Sequence, residues 1–285
     1  MSRYSVSHYS ELNKIPESLY LYLEQDPFSN YEILQSLVEL KKKPRKYSEL
    51  LECFILEKNG NIQVATLRVI PYNIMISHSG DLNAISTLIK YINSLDIQFP
   101  GVFGPSKVSA FFVKEWEKSN KKSFRTSDES WFFLLDRLLQ LPTNKGNIVI
   151  ATKEHEELLS RWSDKAVVEL IPDSPISFLE SARKNLSMRL RNNKVFILRV
   201  NKNIVSMGAI TGKYGDMQFI NDVFTPPEYR CNGYATELCT RLVQRIRKDN
   251  NNRPVLTAFI SNEKAIRIYK KIGFKRMTKV ALFLK

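Results

Sequence analysis

Apolar positions in this chain recur with two periods, and their alternation predicts a mixed α/β protein. Leu51–Leu56 and Ile62–Val69 read as strands around Lys58-Asn59-Gly60-Asn61. Asn-Gly in that turn supplies the left-handed conformations a tight hairpin needs. Tyr72–Ser77 is a third strand, followed by a helix over Asp81–Leu95 capped near Ser79 or Asp81. Gly101–Gly104 predicts a short strand, Ser106–Asn120 a helix and Trp131–Leu135 another strand. Residues 1 to about 40 read as helical, with Ile33, Leu34, Leu37, Val38 and Leu40 on one stripe. The cluster Lys41-Lys42-Lys43-Pro44-Arg45-Lys46 ends that element and reads as a solvated loop or a phosphate contact.

Pro142-Thr143-Asn144-Lys145-Gly146 is short, polar and turn-forming, so it reads as a linker. Beyond it the order of elements repeats in outline. Asn147–Ala151 is a strand, Thr152 caps a helix through Trp162, and Ile176–Leu190 is a second helix. A hairpin of Lys194–Val200 and Ile204–Thr211 turns at Asn201-Lys202-Asn203, and Gln218–Thr225 is the next strand. Pro226-Pro227 ends it, because neither proline donates a ladder hydrogen bond. From Tyr234 the apolar positions Ala235, Leu238, Cys239, Leu242, Val243 and Ile246 fall on one helical stripe. Glu237, Arg241, Gln244, Arg245 and Lys248 occupy the other face. A strand Val255–Ile260, a helix and a final strand Phe274–Leu284 close the order.

The segment Asp222 to Thr236 therefore runs from a strand through a tight loop straight into an amphipathic helix. Unpaired N–H groups and the positive end of the helix dipole favour an anion at such a junction. Arg230-Cys231-Asn232-Gly233-Tyr234-Ala235 spells R-x-x-G-x-A, and Asn262 to Phe274 spells N-x-x-A-x-x-x-Y-x-x-x-G-F with Ala265, Tyr269 and Gly273. The two patterns, in this order and setting, resemble the GNAT superfamily of N-acyltransferases. Thr225-Pro226-Pro227-Glu228-Tyr229-Arg230 followed by Gly233-Tyr234-Ala235-Thr236 is similar to a bacterial subfamily with an added N-terminal half. Ala65–Ser77 and Gly104–Trp116 look like that half.

The resemblance implies tandem GNAT-like domains: a degenerate N-terminal one over 1–142 and a catalytic one over 143–285. Each would have a twisted, mostly antiparallel sheet with a splayed parallel pair, flanked by helices. The first half lacks both patterns; it would cover the acceptor side of the cleft or form a subunit interface in a homo-oligomer. The implied cofactor is acetyl-CoA. Its pantetheine arm would pair with backbone near Val223, Phe224 and Thr225, and its pyrophosphate would face Cys231, Asn232, Gly233, Tyr234 and Ala235. Arg230 would add a charge-assisted contact or clamp the loop, and the Thr236 hydroxyl would reach a phosphate. Asn262 would contact the arm, cap the helix, or both. The implied reaction is direct attack of a neutral amine on the thioester in a ternary complex. Tyr269 would protonate the leaving thiolate, or serve only as a core aromatic. Asp222 and Glu228, at the strand end, are base candidates. The family often has glycine directly after the arginine, where this chain has Cys231.

Length and charge agree with that picture. A chain of 285 residues accommodates two domains, and 43% hydrophobic content supports packed cores. Residues 1–142 carry 17 basic and 16 acidic side chains, whereas 143–285 carry 26 and 13. The excess positive charge thus sits in the half with the anion loop, and it would attract a polyphosphorylated ligand. Nucleic acid is favoured by charge alone, since no helix-turn-helix, zinc or RNP pattern is present. Cys53, Cys231 and Cys239 have no metal-ligand spacing. No apolar run is long enough for a membrane span and the N-terminus has no hydrophobic signal core, so a reducing cytoplasm is the expected home. His155 reads as a surface residue. The expected activity is acetyl transfer to a small amine or peptide amine; the alternative is a non-catalytic acyl-CoA-binding regulator or scaffold, which would not need Tyr269.

Overall fold

The computed structural model describes residues 4–42, 50–120, 123–139, 142–172, 176–248 and 252–285. Lys43–Lys46 of the expected basic loop lie outside these residues. The chain divides into two compact units, Met1–Trp131 with Thr278–Lys285, and Phe132–Met277. The expected boundary at 142/143 differs from this division: the chain passes into the second unit within a strand, and its last eight residues return to the first.

The first unit begins with strand β1 (Tyr4–Tyr9), where a helix was expected. The period-two signal is present but short: Tyr4 and Val6 pack on the core and the His8 ring stacks on Phe54 at 4.4 Å. Helices α1 (Glu17–Leu23) and α2 (Tyr31–Lys42) follow. Next come β2 (Leu51–Lys58), β3 (Asn61–Val69) and β4 (Ile74–Ile76), then α3 (Leu82–Ser94), β5 (Gly101–Pro105) and α4 (Ser106–Asn120). The β2–β3 hairpin turns on Asn59 and Gly60, at φ 51° and 79°. Strand β6 (Arg125–Leu135) carries the chain out of this unit. The sheet runs β1-β2-β3-β4-β5 and then the chain's last strand, β12 (Phe274–Leu284), and is antiparallel except for the β4/β5 pair. Helices α3 and α4 cover one core, built from Phe54, Ile85, Leu88, Phe112 and Trp116.

In the second unit the order is β7 (Asn147–Ile150), α5 (Glu156–Leu170), α6 (Ile176–Arg191), β8 (Val195–Val200), β9 (Asn203–Tyr214) and β10 (Met217–Phe224). Then come α7 (Tyr234–Lys248), β11 (Arg253–Phe259), α8 (Glu263–Ile272) and β12 (Phe274–Leu284). The two units therefore share one order of strands and helices: β-α-α-β-β-β-α-β-α-β. The sheet of this unit runs β7-β8-β9-β10-β11, antiparallel but for β10 and β11. This is a mixed sheet flanked by helices, the α/β class expected. Trp162 of α5, Leu186 and Leu190 of α6, and Val195, Ile197, Met207 and Phe224 of the strands form its core.

His155 is buried at 7% exposure rather than on the surface. It caps the turn before α5 with Thr152 and receives the Arg199 guanidinium on Nε2 at 2.7 Å. Glu237 departs further from expectation. Placed by periodicity on the polar face of α7, it is only 2% exposed. Its carboxylate accepts from Thr143 N–H and hydroxyl and from Arg241 Nε at 2.6 Å, which ties the 142–146 segment to the helix. Burial pushes the Glu237 carboxyl upward; Arg241 and Thr143 more than offset that and hold it below its ordinary value.

Candidate functional site

Strands β10 and β11 pair only at Met217–Phe219 with Arg253–Val255, although β10 continues to Phe224 and β11 to Phe259. Past the last pair the two strands part. One device that turns β10 away is a bulge: the β9/β10 register shifts between Asn221 and Phe224, with Asp222 left-handed at φ 55°. Asp222 is anchored there by an ion pair with Arg189 of α6. The buried Ser206 hydroxyl donates to the Phe224 carbonyl at 3.0 Å and meets the Thr225 hydroxyl at 2.9 Å. Gly208 lets α7 lie close on the sheet, since a Cβ there would come within 3.1 Å of Leu242 and 3.3 Å of Leu238.

The loop after β10 is built to hold a sharp course. Pro227–Tyr229 forms a 3-10 turn, after which Cys231 and Gly233 take left-handed φ of 64° and 78°. Arg230 folds back on its own loop: Nε donates to the Thr225 carbonyl at 2.9 Å and Nη2 to Glu169 at 2.7 Å. Asn232 donates its amide to the carbonyls of Tyr229 and Arg230. Lys145 reaches over from the linker and donates to the Asn232 carbonyl at 2.6 Å. A Cβ on Gly233 would lie 3.2 Å from that ammonium. The loop delivers the chain into α7, whose first turn leaves its N–H groups without helical partners.

A cavity of about 750 Å³ opens between these elements. Its lining includes Val223, Phe224, Thr225, Arg230, Cys231, Gly233, Tyr234, Ala235 and Thr236, and from α8 and the turn before it Asn262, Lys264, Arg267, Ile268 and Tyr269. Helix α5 adds Ala166, Glu169 and Leu170. The patterns in the sequence thus bring most of the expected residues to one cavity. Asp222, Glu228 and Asn232 are not on its wall: Asp222 is held by Arg189, Glu228 is exposed on the 3-10 turn, and Asn232 faces its own loop. Asn262 caps α8, its carbonyl oxygen accepting from Ala265 N–H at 3.1 Å.

Tyr269 is 7% exposed and its ring meets Phe133 and Phe274 edge-on, at 6.1 and 6.0 Å. Burial pushes its phenol well above the ordinary value, and the nearby Cys239 adds in the same direction. Tyr269 therefore keeps its proton throughout the neutral range. Gly273 ends α8 at φ 116°; a Cβ there would sit 1.8 Å from the Arg137 carbonyl, so glycine is required. Glu169, Lys145 and Glu237 belong to no pattern. For Lys264, Arg267 and Ile268, the spacing of three and four from Lys264 along the helix that carries Tyr269 was the available signal.

In the first unit, the helix at the matching point in the order of elements is capped by the chain's own carboxylate. Asp81 caps α3 with its carboxylate on the N–H groups of Asn83 and Ala84, and binds the Tyr4 hydroxyl and Lys58 ammonium at 2.7 and 3.0 Å. A Cβ on Gly104 would lie 2.4 Å from the Ile76 carbonyl, so β4 and β5 are closed against each other there.

The parted strand pair, the helix-initiating loop and the cavity all lie within a segment that a family model matches. Residues 155–274 match the model of the acetyltransferase (GNAT) family. Among curated proteins none matches the chain. Solved structures share the fold along the whole length. A GNAT-family acetyltransferase from Colwellia psychrerythraea is 11% identical, with a TM-score of 0.61 over 99% of this chain and 100% of that one. A Drosophila protein is 13% identical, with a TM-score of 0.65 over 100% and 98%. A tandem GNAT protein from the clavulanic acid biosynthesis pathway is 10% identical, with a TM-score of 0.56 over 99% and 98%. Among the described residues no helix is long and apolar enough to cross a membrane.

Proposed function

We propose that this protein is an acetyl-CoA-dependent N-acetyltransferase that acts on an amine, with the chemistry in the second unit and a degenerate, cofactor-free first unit. The observation that carries the reading is the parted β10/β11 pair opening onto the loop at the start of α7. The residues suit an acyl-CoA: backbone freed beyond Phe219 can pair with an extended arm. Gly233 and the first turn of α7 present N–H groups to a diphosphate, and Arg230 is at hand. In the first unit the Asp81 carboxylate already takes that position, which supports a cofactor-free role there.

The acyl donor supplies an activated thioester when bound. The bulge at Asp222 turns the Val223 N–H out of the regular ladder, where it can polarise a carbonyl. Tyr269 holds a proton at its phenol oxygen in apolar surroundings. The same surroundings raise the basicity of a thiolate, so the transfer is not opposed by the high phenol value. A base at Asp222 is disfavoured by its ion pair with Arg189, and neither it nor Glu228 lies on the cavity wall. The amine then loses its proton through water or another group.

Replacing Tyr269 with Phe tests the catalytic assignment. Tyr269→Phe should lower turnover at least about tenfold, a modest general-acid effect, with acetyl-CoA affinity held within about twofold. Equal turnover removes the acid role. Full acetyl-CoA binding with no turnover of any amine by the wild type would leave a non-catalytic acyl-CoA-binding module.

A further inference from the structure

The short segment before β7 is fixed to its surroundings on both sides of Lys145. Thr143 gives its N–H and hydroxyl to the Glu237 carboxylate in the first turn of α7. Asn144, left-handed at φ 56°, accepts from Arg241 Nη2 at 3.2 Å. Gly146 lies so close on β8 that a Cβ would come 2.2 Å from the Arg199 carbonyl. Lys145 is thereby held beside the loop, and its ammonium donates to the Asn232 carbonyl at 2.6 Å across a separation of 87 residues. Cys231 and Gly233 line the cavity, whereas Lys145 and Asn232 do not. Lys145 can therefore act on the cavity only through the loop.

The peptide that carries that carbonyl also carries the Gly233 N–H. It is trans, so its oxygen and its N–H point in opposite directions. With the oxygen on Lys145, the N–H is turned away from the ammonium, and among the described residues it meets no acceptor. A peptide followed by a left-handed glycine can turn over at little steric cost, because glycine accepts φ of either sign. In the reversed course an oxygen would stand where the N–H now stands. We infer that Lys145 is a positioning residue for the acyl donor: its ammonium selects the orientation of this peptide in which the Gly233 N–H, and not the Asn232 carbonyl, is offered to the diphosphate. The inference rests on the acyl-CoA reading of the site. An ammonium on the oxygen also polarises the peptide and strengthens its N–H as a donor. The contact is exposed, and an exposed charged contact biases an equilibrium by about fivefold. Such a bias is small against the stability of a domain. It is felt in full by a ligand that binds one of the two orientations.

The test titrates wild type, Lys145→Met and Lys145→Arg, each as the full chain, with acetyl-CoA and with S-acetylpantetheine, which lacks the diphosphate. Lys145→Met should bind acetyl-CoA about fivefold more weakly and S-acetylpantetheine with unchanged affinity. Its melting temperature should stay within about 2 °C of wild type. Lys145→Arg keeps a cationic donor and should recover acetyl-CoA affinity to within about twofold of wild type. Unchanged acetyl-CoA affinity in Lys145→Met overturns the inference. An equal loss for both ligands also overturns it, since that marks a general loosening of the site rather than a peptide turned over at the diphosphate. An arginine variant as weak as the methionine one has the same force. Failure of the wild type to bind acetyl-CoA is a separate outcome, which removes the donor reading and this inference with it.

Discussion

Cys231 sits at φ 64°, a conformation in which its Cβ crowds the backbone. For a residue with a Cβ the left-handed region costs about 1–2 kcal/mol. Replacement by glycine removes that cost, while the freer unfolded chain takes back about 0.4–1 kcal/mol. The net expectation is that Cys231→Gly stabilises the protein by about 0.5–1 kcal/mol, which corresponds to about 1–2 °C in the melting temperature of a chain this long. Cys231 is exposed, so little packing is lost. Cys231→Ala is the control, because it keeps the Cβ and the strain and should fall within about 0.5 kcal/mol of wild type. Thermal and urea unfolding of the three proteins side by side measures the difference. A glycine variant no more stable than the alanine variant would refute the strain argument. It would mean that the loop relaxes to another course.

Two further perturbations test the packing around the sites. Removing Glu237 strips the buried acceptor from Thr143 and Arg241, so Glu237→Ala should lower the unfolding free energy by about 2–3 kcal/mol; a urea midpoint indistinguishable from wild type would sink the role given to that carboxylate. In the first unit, Asp81→Ala should cost about 1 kcal/mol through the lost helix cap, and Asp81→Asn, which still caps, should cost less. The Tyr4 hydroxyl and the Lys58 ammonium pull the Asp81 carboxyl from 3.8 down to about 2. A carboxyl whose folded value is depressed adds stability that is complete above its unfolded value and is lost as pH falls through the folded one. That contribution should therefore fade between about pH 4 and pH 2. Acid-unfolding curves of wild type and Asp81→Asn should converge at the low end of this window; a constant gap would contradict the assignment.

Much of the fold was legible because its signals are local. The Asn59-Gly60 turn, the Asp81 and Asn262 caps and the stripe of α7 each depend on a few neighbouring residues, and each appears where expected. Strand β1 escaped because six residues of Tyr, Ser, Val and His carry too little apolar alternation to outweigh the helical stretch behind them. The cavity wall was legible along Val223–Thr236 and Asn262–Tyr269, where chemistry is fixed by spacing along one loop and one helix. Glu169 on that wall was not, nor were the contacts of Lys145 with Asn232 and of Glu237 with Thr143, since each crosses a sequence gap bridged only by tertiary structure. Glu237 also shows the limit of periodicity: a carboxylate on the polar side of a helical wheel becomes buried when another segment of chain crosses it. Asp222 is off the cavity wall for a related reason, because it sits in the bulge and pairs with Arg189, whereas Glu228 is exposed on the 3-10 turn.

In the proposed function the loop entering α7 holds the diphosphate of an acyl-CoA. Calorimetric titration with acetyl-CoA, at two salt concentrations, tests it most directly when wild type is set beside Gly233→Asp. Aspartate at φ 78° would carry a negative charge to the loop, next to Lys145, where the diphosphate should lie. The account predicts one-to-one binding by wild type that weakens as salt rises, and none by the variant. Absence of binding by the wild type, or undiminished affinity in Gly233→Asp, would contradict it.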